Sequence, residues 1–232
     1  MNNIQPRIYL DKSRSFSSHS YIIARVLRFG PGTKILDIGT ADGVVGKRIK
    51  GKGLILNGIE PVAHWAEIAK PFYNELIIGK IENAPSAFLK NYDVVIFADV
   101  LEHLVDPISV LFRVVKHQRS DTSFFISVPN VANIWIRLNL MFGRFEYTDH
   151  GLLDKSHLHF FTLDSFKEII KQVRLEITSI AITPIPLQLL HPFFETTQLG
   201  RTLFSLFNSI TQLIPRILGY QFIVEARRVS NE

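Results

Sequence analysis

The chain has 232 residues, of which 47% are hydrophobic and 20% are charged, and it carries a formal net charge of +5. This composition supplies the core of one α/β domain and argues against a largely disordered chain. The sequence contains no cysteine, which excludes disulfide bonds, thiolate metal sites and a cysteine nucleophile. The mild positive charge permits anionic partners without identifying one.

Residues 1–32 predict a helical cover in front of the first strand. Residues 21–27 favour a short helix with Ser17 or Ser18 as its cap. A Gly-Pro-Gly sequence at 30–32 ends this helix, because neither residue type continues one well.

Residues 33–46 have the pattern of a ligand-binding turn between a strand and a helix. Residues 34–38 alternate and are rich in branched apolar side chains, which predicts a short buried strand, and a helix is predicted from Val44. Between them lies a run of small residues: Gly39, Thr40, Ala41, Asp42 and Gly43. Small side chains let a ligand approach the backbone, and the N–H groups of a helix start favour negative charge. The spacing does not match the Gly-x-Gly-x-x-Gly pattern of dinucleotide-binding turns.

An acidic residue ends the second predicted strand, which covers residues 54–59. Glu60 stands about 20 residues beyond the glycine turn, where a carboxylate can accept hydrogen bonds from both ribose hydroxyls of a nucleoside. A helix through residues 64–68 and a third strand over residues 75–79 follow. We therefore interpret Glu60 as a ribose ligand.

The fourth predicted strand covers residues 92–99 and is apolar in its middle, as expected of a central parallel strand. If Asp99 opens a helix, Glu102 and His103 lie on its face at positions i+3 and i+4. Two carboxylates and an imidazole can bind a divalent cation or act as acid and base. His157 supplies a further imidazole downstream.

The second half of the chain contains two insertions. Three more strands are predicted, over residues 123–130, 175–182 and 220–227, with a helix over residues 163–173. Residues 131–162 exceed the usual strand-to-helix loop of about 2–6 residues, so we interpret them as a lid over a substrate pocket. Residues 203–218 repeat apolar side chains in the helical i, i+3, i+4 rhythm and form one wide apolar face.

Two of these motifs together resemble the class I S-adenosylmethionine-dependent methyltransferases. The pattern Asp37-x-Gly39-x-Ala41-x-Gly43 is similar to motif I of that family, with Ala41 in place of its middle glycine. The string Asp-Val-Leu-Glu-His-Leu, which begins at Asp99, resembles motif IV. The resemblance covers nearly the whole chain except residues 184–219. It implies one α/β domain over residues 1–232, with a Rossmann-like, seven-stranded, mostly parallel sheet, helices on both faces, an antiparallel last strand and helical insertions.

The resemblance also implies S-adenosylmethionine as the cofactor and assigns roles to residues of this chain. The predicted cofactor-binding residues are Asp37, Gly39, Thr40, Ala41, Gly43, Glu60 and Asp99. The predicted catalytic residues are Glu102, His103 and His157. The Asp-x-x-Glu-His element with a distal histidine is similar to the metal site of small-RNA 3′-end methyltransferases. Because Asp99 replaces a longer glutamate there, we do not predict a metal ligand.

We therefore expect methyl transfer to a small-molecule, saccharide or lipid-linked acceptor, as an O-methylation in which a histidine helps to remove the hydroxyl proton. The alternatives are a non-catalytic cofactor-binding module and a metal-assisted RNA 2′-O-methyltransferase. Nucleic acid is not an expected partner, because the sequence has no dense Lys/Arg patch with interleaved aromatics.

The expected location is cytoplasmic, because residues 1–6 lack the charged and apolar regions of a signal peptide. Residues 184–219 are expected to pack over the sheet or against a second copy of the chain. Peripheral docking of this segment on a membrane is kept as an alternative.

Overall fold

The computed structural model describes residues 16–229, and within them seven strands form one sheet. The strands are β1 Lys34–Ile38, β2 Ile55–Glu60, β3 Glu75–Ile78, β4 Val94–Ala98, β5 Ser123–Pro129, β6 Leu175–Thr183 and β7 Gln221–Arg228. Their order is β3-β2-β1-β4-β5-β7-β6, and β7 runs antiparallel to both of its neighbours while the other pairs are parallel. The predicted Rossmann-like α/β fold is confirmed.

Helices lie before, between and after these strands. They are α1 Ser18–Val26, α2 Val44–Ile49, α3 Ala63–Ala69, α4 Pro107–Val115, α5 Ile134–Met141, α6 Leu163–Gln172, α7 Leu187–Leu190, α8 Phe193–Thr196, α9 Gln198–Leu213 and α10 Pro215–Leu218. Ser17 caps α1 by accepting a hydrogen bond from Ser20 N–H at 3.1 Å. Residues 1–15, which include the first part of the predicted helical cover and the segment inspected for a signal peptide, lie outside the described residues.

Two apolar layers hold the sheet, one on each face. Ile35 of β1 packs into a cluster with buried residues of α1 and α2, whereas Leu36 packs into a larger cluster with residues of α4 and α6. Successive strand residues point to opposite faces, so Asp37 belongs to the α1 and α2 side with Ile35. This alternation places one carboxylate inside an otherwise apolar layer.

Both insertions form helices. Residues 131–160 leave the sheet after β5 and return at a bridge between Asn130 and Phe161, with α5 in between. Helix α9 buries Phe204 and exposes a row of large apolar side chains: Leu199, Leu203, Leu206, Ile210 and Leu213. The prediction that one helical face continues to residue 218 is wrong, because α9 ends at Leu213 and Pro215, which has no N–H to donate, begins α10. Within residues 16–229, no helix combines the length and apolar character needed to cross a bilayer.

Gly58 of β2 leaves room for the ring of Tyr73, which reaches Asp37 of β1. It pairs with Asp37 across the strands, and a Cβ on Gly58 would lie 2.6 Å from Thr40 Cγ2 and 2.8 Å from Tyr73 Cδ1.

We expect Gly58→Ala to lower the free energy of unfolding by about 1–3 kcal/mol, because packed neighbours must shift. Urea unfolding measures this change. Gly30→Ala is the matched control, since a Cβ there meets nothing within 4 Å. Equal stability of the two variants would contradict the packing described.

Candidate active site

The turn after β1 is held against the end of β2. Gly39, Ala41 and Gly43 all have left-handed backbone conformations, with φ angles of 75°, 47° and 86°. The N–H groups of Gly39 and Thr40 donate to Ile59 O at 2.8 and 3.3 Å. The predicted cofactor-binding residues from 39 to 43 therefore form one tightly bent turn at the carboxyl edge of the sheet, where open α/β sheets bind ligands.

Glu60 stabilises the strained residue of this turn. An alanine in the left-handed region costs about 1–2 kcal/mol, and Ala41 stands where the resemblance expects glycine. Glu60 Oε2 accepts a hydrogen bond from Ala41 N–H at 2.8 Å, and Oε1 accepts one from Val62 N–H at 2.9 Å. The side chain is only 5% exposed. Burial raises the pKa of Glu60, and these two backbone hydrogen bonds act against the rise. The structure thus places Glu60 beside the glycine turn, and its role as a ribose ligand stays a prediction.

Asp37 lies under the turn at 2% exposure. Its Oδ2 accepts a hydrogen bond from the Tyr73 hydroxyl at 2.5 Å. Burial raises the pKa of Asp37 to about 7, the Tyr73 hydrogen bond lowers it, and the nearby charge of Glu60 raises it. Tyr73 was not predicted as a site residue, because it follows α3 in no recognisable motif. Its hydroxyl reaches Asp37 only because Gly58 has no side chain to occupy that space.

Asp99 does not open an α-helix, so the condition under which Glu102 and His103 would share a helix face is not met. Its φ is 58°, a left-handed conformation that aspartate tolerates better than most residues, and its N–H donates to Ser127 O at 3.2 Å. The chain then forms a single 3₁₀ turn, Leu101–His103. Glu102 and His103 are therefore neighbours in a tight turn, where the first is buried and the second exposed.

The carboxylate of Asp99 connects three elements of the fold, α1, β5 and β7, to the segment that follows β4. It accepts hydrogen bonds from Ser127 Oγ at 2.6 Å, from Gln221 Nε2 at 2.8 Å and from Ser18 Oγ at 3.2 Å. His19 Nδ1 lies 3.9 Å from Asp99 Oδ2. These partners come from α1, β5 and β7 and are far apart in sequence, so sequence reasoning missed them. A serine inside the otherwise apolar β5 was the only available signal.

The predicted catalytic residues Glu102, His103 and His157 lie together. The imidazole rings of His103 and His157 meet edge to face with centroids 4.8 Å apart. The backbone brings them together, because the carbonyl of Glu102 accepts hydrogen bonds from Leu158 N–H at 2.7 Å and His159 N–H at 3.1 Å. The Glu102 side chain is only 1% exposed.

Hydrogen bonds to backbone carbonyls orient both rings. His103 Nδ1 lies 3.1 Å from Ser156 O, and His157 Nδ1 lies 3.2 Å from Leu152 O. A carbonyl oxygen can only accept, so each Nδ1 carries a proton, and in the neutral form of such a ring the lone pair is on Nε2. Each neutral ring can therefore accept a proton or bind a cation through Nε2.

Burial lowers the pKa of His157, and the neighbouring His103 lowers it further, while Asp154 and Asp99 act in the opposite direction. His159 is oriented differently, with Nε2 3.2 Å from Val105 O and its ring stacked on Phe161. It does not join the pair.

The side chain of Val100 links the turn after β1 to the cluster of Glu102, His103 and His157. A Cβ on Gly39 would lie 2.7 Å from Val100 Cγ2, so Val100 packs directly on the backbone of the turn. Val100 also separates Asp99 from the 3₁₀ turn that carries Glu102 and His103. The short segment from Asp99 to His103 therefore borders both the turn and the imidazole pair.

Comparison with known proteins agrees with this geometry. A family model described as a methyltransferase domain matches residues 15–180 of the chain. The ubiquinone biosynthesis O-methyltransferase of Haemophilus ducreyi is 28% identical over 109 residues, which cover 43% of this chain and 46% of that protein. The chain thus matches about half the length of this curated relative.

Two solved structures share the fold. A SAM-dependent methyltransferase from Archaeoglobus fulgidus superimposes with a TM-score of 0.60 at 16% identity, covering 93% of this chain and 97% of that one. The magnesium protoporphyrin IX methyltransferase of Synechocystis, solved with bound SAH, gives a TM-score of 0.60 at 15% identity, covering 91% and 84%. The family match spans more than half of the chain. The chain therefore belongs to the methyltransferase-domain family and shares the fold of S-adenosylmethionine-dependent methyltransferases.

Proposed function

We propose that this enzyme methylates a hydroxyl oxygen of a small-molecule, saccharide or lipid-linked acceptor. The observation that carries the proposal is the pair of imidazoles, His103 and His157, whose Nδ1 atoms both meet backbone carbonyls, so that a neutral ring can accept a proton at Nε2. A hydroxyl must lose its proton during methyl transfer, whereas a neutral amine needs less help from a base. The printed name of the Haemophilus ducreyi relative, an O-methyltransferase, supports the same reaction type.

The residues of the turn fit the cofactor. When bound, S-adenosylmethionine supplies a methyl group on a positively charged sulfonium. Asp37 offers a buried carboxyl on the cofactor side for the cationic methionine portion, and Glu60 stands at the end of β2 for the ribose hydroxyls. Asp99 forms the floor between this turn and the imidazole pair, fixed by its three hydrogen bonds. Because Asp99 is already held in place, no further free energy is needed to order this residue when the reactants are aligned.

The acceptor side of the molecule carries exposed apolar surface. Helix α5 exposes Trp135, Leu138 and Met141, and α9 exposes its row of leucine and isoleucine side chains. Asn133, which caps α5, donates to Gly219 O at 2.8 Å, so the two insertions meet. This surface supports an acceptor with an apolar portion. We propose on the same ground that residues 184–219 contact a membrane surface or a second copy, in the cytoplasm.

Removing the base tests the reaction type. We expect His157→Gln to lower the rate of methyl transfer about 100- to 10,000-fold while the affinity for the cofactor stays unchanged. The acceptor must be identified first. Protein and cofactor are added to cell extract, and mass spectrometry identifies the metabolite that gains one methyl group. Rates on that acceptor are then compared with those of His159→Gln, the control in the same segment. A methyl group found on nitrogen or carbon would contradict the proposed O-methylation.

Replacing Glu60 tests the cofactor site. Both carboxylate oxygens of Glu60 accept backbone hydrogen bonds, and a glutamine has one acceptor oxygen, so Glu60→Gln turns an NH₂ group toward Ala41 or Val62 N–H. We expect the affinity for S-adenosylmethionine to fall roughly 10- to 100-fold in calorimetry. The exposed Glu82, replaced by glutamine, is the control. Unchanged affinity of Glu60→Gln would remove this residue from the site.

The raised pKa of Asp37, at about 7, predicts proton release on cofactor binding. Near pH 7 a large fraction of ligand-free molecules hold this proton, and a cation bound beside the carboxyl lowers its pKa. The proton is therefore released on binding near pH 7, and little is released at pH 9, where the group is already ionised. Calorimetry in buffers of different ionisation enthalpy counts the protons. Asp37→Asn should abolish the release, and release that persists in this variant would contradict the assignment.

A further inference from the structure

The ring of Tyr73 fills a space that two glycines leave between α2 and β2. A Cβ on Gly46 of α2 would lie 2.7 Å from Tyr73 Cε2, and a Cβ on Gly58 of β2 would lie 2.8 Å from Tyr73 Cδ1. The next residue, Asn74, joins this segment to β2, because its N–H donates to Leu56 O at 2.7 Å and its Oδ1 accepts from Leu56 N–H at 2.9 Å. The fold therefore holds the tyrosine hydroxyl in place before any ligand binds.

This hydroxyl donates a hydrogen bond to Oδ2 of the buried Asp37 at 2.5 Å. Within residues 16–229 it is the one hydrogen-bond donor to the Asp37 side chain, so Oδ1 has no donor among these residues. Burial raises the pKa of Tyr73 well above its usual value, the charge of Asp37 and this hydrogen bond raise it further, and a backbone hydrogen bond from Gly46 lowers it. Tyr73 therefore stays protonated and remains a donor at ordinary pH.

Two other acidic groups face this pair. Burial raises the pKa of Asp37 to about 7, the Tyr73 hydrogen bond lowers it, and the charge of Glu60 raises it. Asp42, which also faces Tyr73, is paired with Lys47 Nζ at 2.7 Å. The hydrogen bond from Tyr73 is thus the interaction with Asp37 that favours its ionised form. Three titratable side chains of α1 face other acidic groups, Asp99 or Glu225: His19, Tyr21 and Arg25.

We propose that Tyr73 is a positioning residue of the cofactor site, whose hydroxyl holds Oδ2 of Asp37 and leaves Oδ1 of the ionised carboxylate for the cationic methionine portion of S-adenosylmethionine. The inference rests on the placement of the cofactor in the proposed function. A carboxylate binds a cation better than a neutral carboxyl group does, and a hydrogen bond to the charged oxygen stabilises the carboxylate before the cofactor arrives.

Removal of the hydroxyl tests this role without any cofactor. Tyr73→Phe keeps the ring between the two glycines, and the midpoint of the Asp37 titration should move up by about 1–2 pH units, because a hydrogen bond to a charged group is lost. Carbon-13 NMR of the aspartate carboxyl groups measures this midpoint, and Asp37→Asn identifies the signal. Tyr92→Phe is the matched control, since the buried Tyr92 hydroxyl accepts from Asn57 Nδ2 of β2 at 3.1 Å.

Calorimetry with S-adenosylmethionine supplies the second measurement. A carboxyl group that titrates at higher pH is ionised in a smaller fraction of the molecules at pH 7. Tyr73→Phe should therefore weaken binding roughly 5- to 50-fold at pH 7 and by no more than about twofold at pH 9. A purely structural role of the tyrosine would weaken binding by the same factor at both pH values.

Two results would overturn the proposal. One is an Asp37 titration that Tyr73→Phe leaves unchanged, and the other is a cofactor affinity that changes equally, or not at all, at pH 7 and pH 9. Failure of the proposed function has a different signature. If the methyl group is found on nitrogen or carbon, the O-methylation is refuted, while the Asp37 titration and the pH dependence of cofactor binding still distinguish Tyr73→Phe from the parent.

Discussion

The carboxylate of Glu60 is the interaction on which the cofactor side of the structure depends. It joins the turn after β1 to the end of β2 through two backbone hydrogen bonds, and one of them stabilises the left-handed Ala41. Each carboxylate oxygen has more than one lone pair, so both can accept a further hydrogen bond without releasing the turn. A residue that shapes the backbone can therefore also bind a ribose. The hydrogen bond to Ala41 N–H explains why an alanine is tolerated where motif I of the resembled family has a glycine.

Burial gives the two carboxyl groups beside the turn their electrostatic character. Desolvation raises the pKa of both Asp37 and Glu60, and the charge of Glu60 contributes to the rise at Asp37. In the absence of a ligand, the two groups therefore resist being charged together. A cationic ligand relieves this repulsion. Part of its binding free energy therefore comes from Asp37 and Glu60, because burial destabilises their charged forms. Under the proposed function, the same burial favours a cationic ligand over a neutral nucleoside.

Most of the fold could be predicted from local sequence patterns, because the strands alternate or are uniformly apolar and the turns contain glycine. The bounds of β1 agree with the predicted 34–38, and the Ser17 cap was one of two candidates. The termination of α9 was predicted wrongly, because apolar periodicity continues across Pro215 although the helix does not. Periodicity reports which side chains are apolar, and it does not report where the backbone hydrogen bonds stop.

The candidate site was predicted less completely, and the reason is visible at Asp99. The motif that contains this residue was identified, but its conformation depends on Ser18, Ser127 and Gln221, which are 81, 28 and 122 residues away in the chain. No local pattern encodes such a convergence. Tyr73 is a similar case, since it reaches Asp37 only because Gly58 has no side chain.

The 3₁₀ turn after Asp99 has a consequence for catalysis that an α-helix would not have. In a helix, Asp99, Glu102 and His103 would share one face, and all three would compete for the same ligand. In the observed turn, Asp99 is bound to β5, β7 and α1, while Glu102 and His103 lie with His157 from the insertion after β5. The two functions of the segment are thereby separated by Val100, which packs on Gly39. Five consecutive residues, from Asp99 to His103, can then border the proposed cofactor site at one end and the proposed acceptor site at the other, which is the geometry that direct methyl transfer between two bound molecules requires.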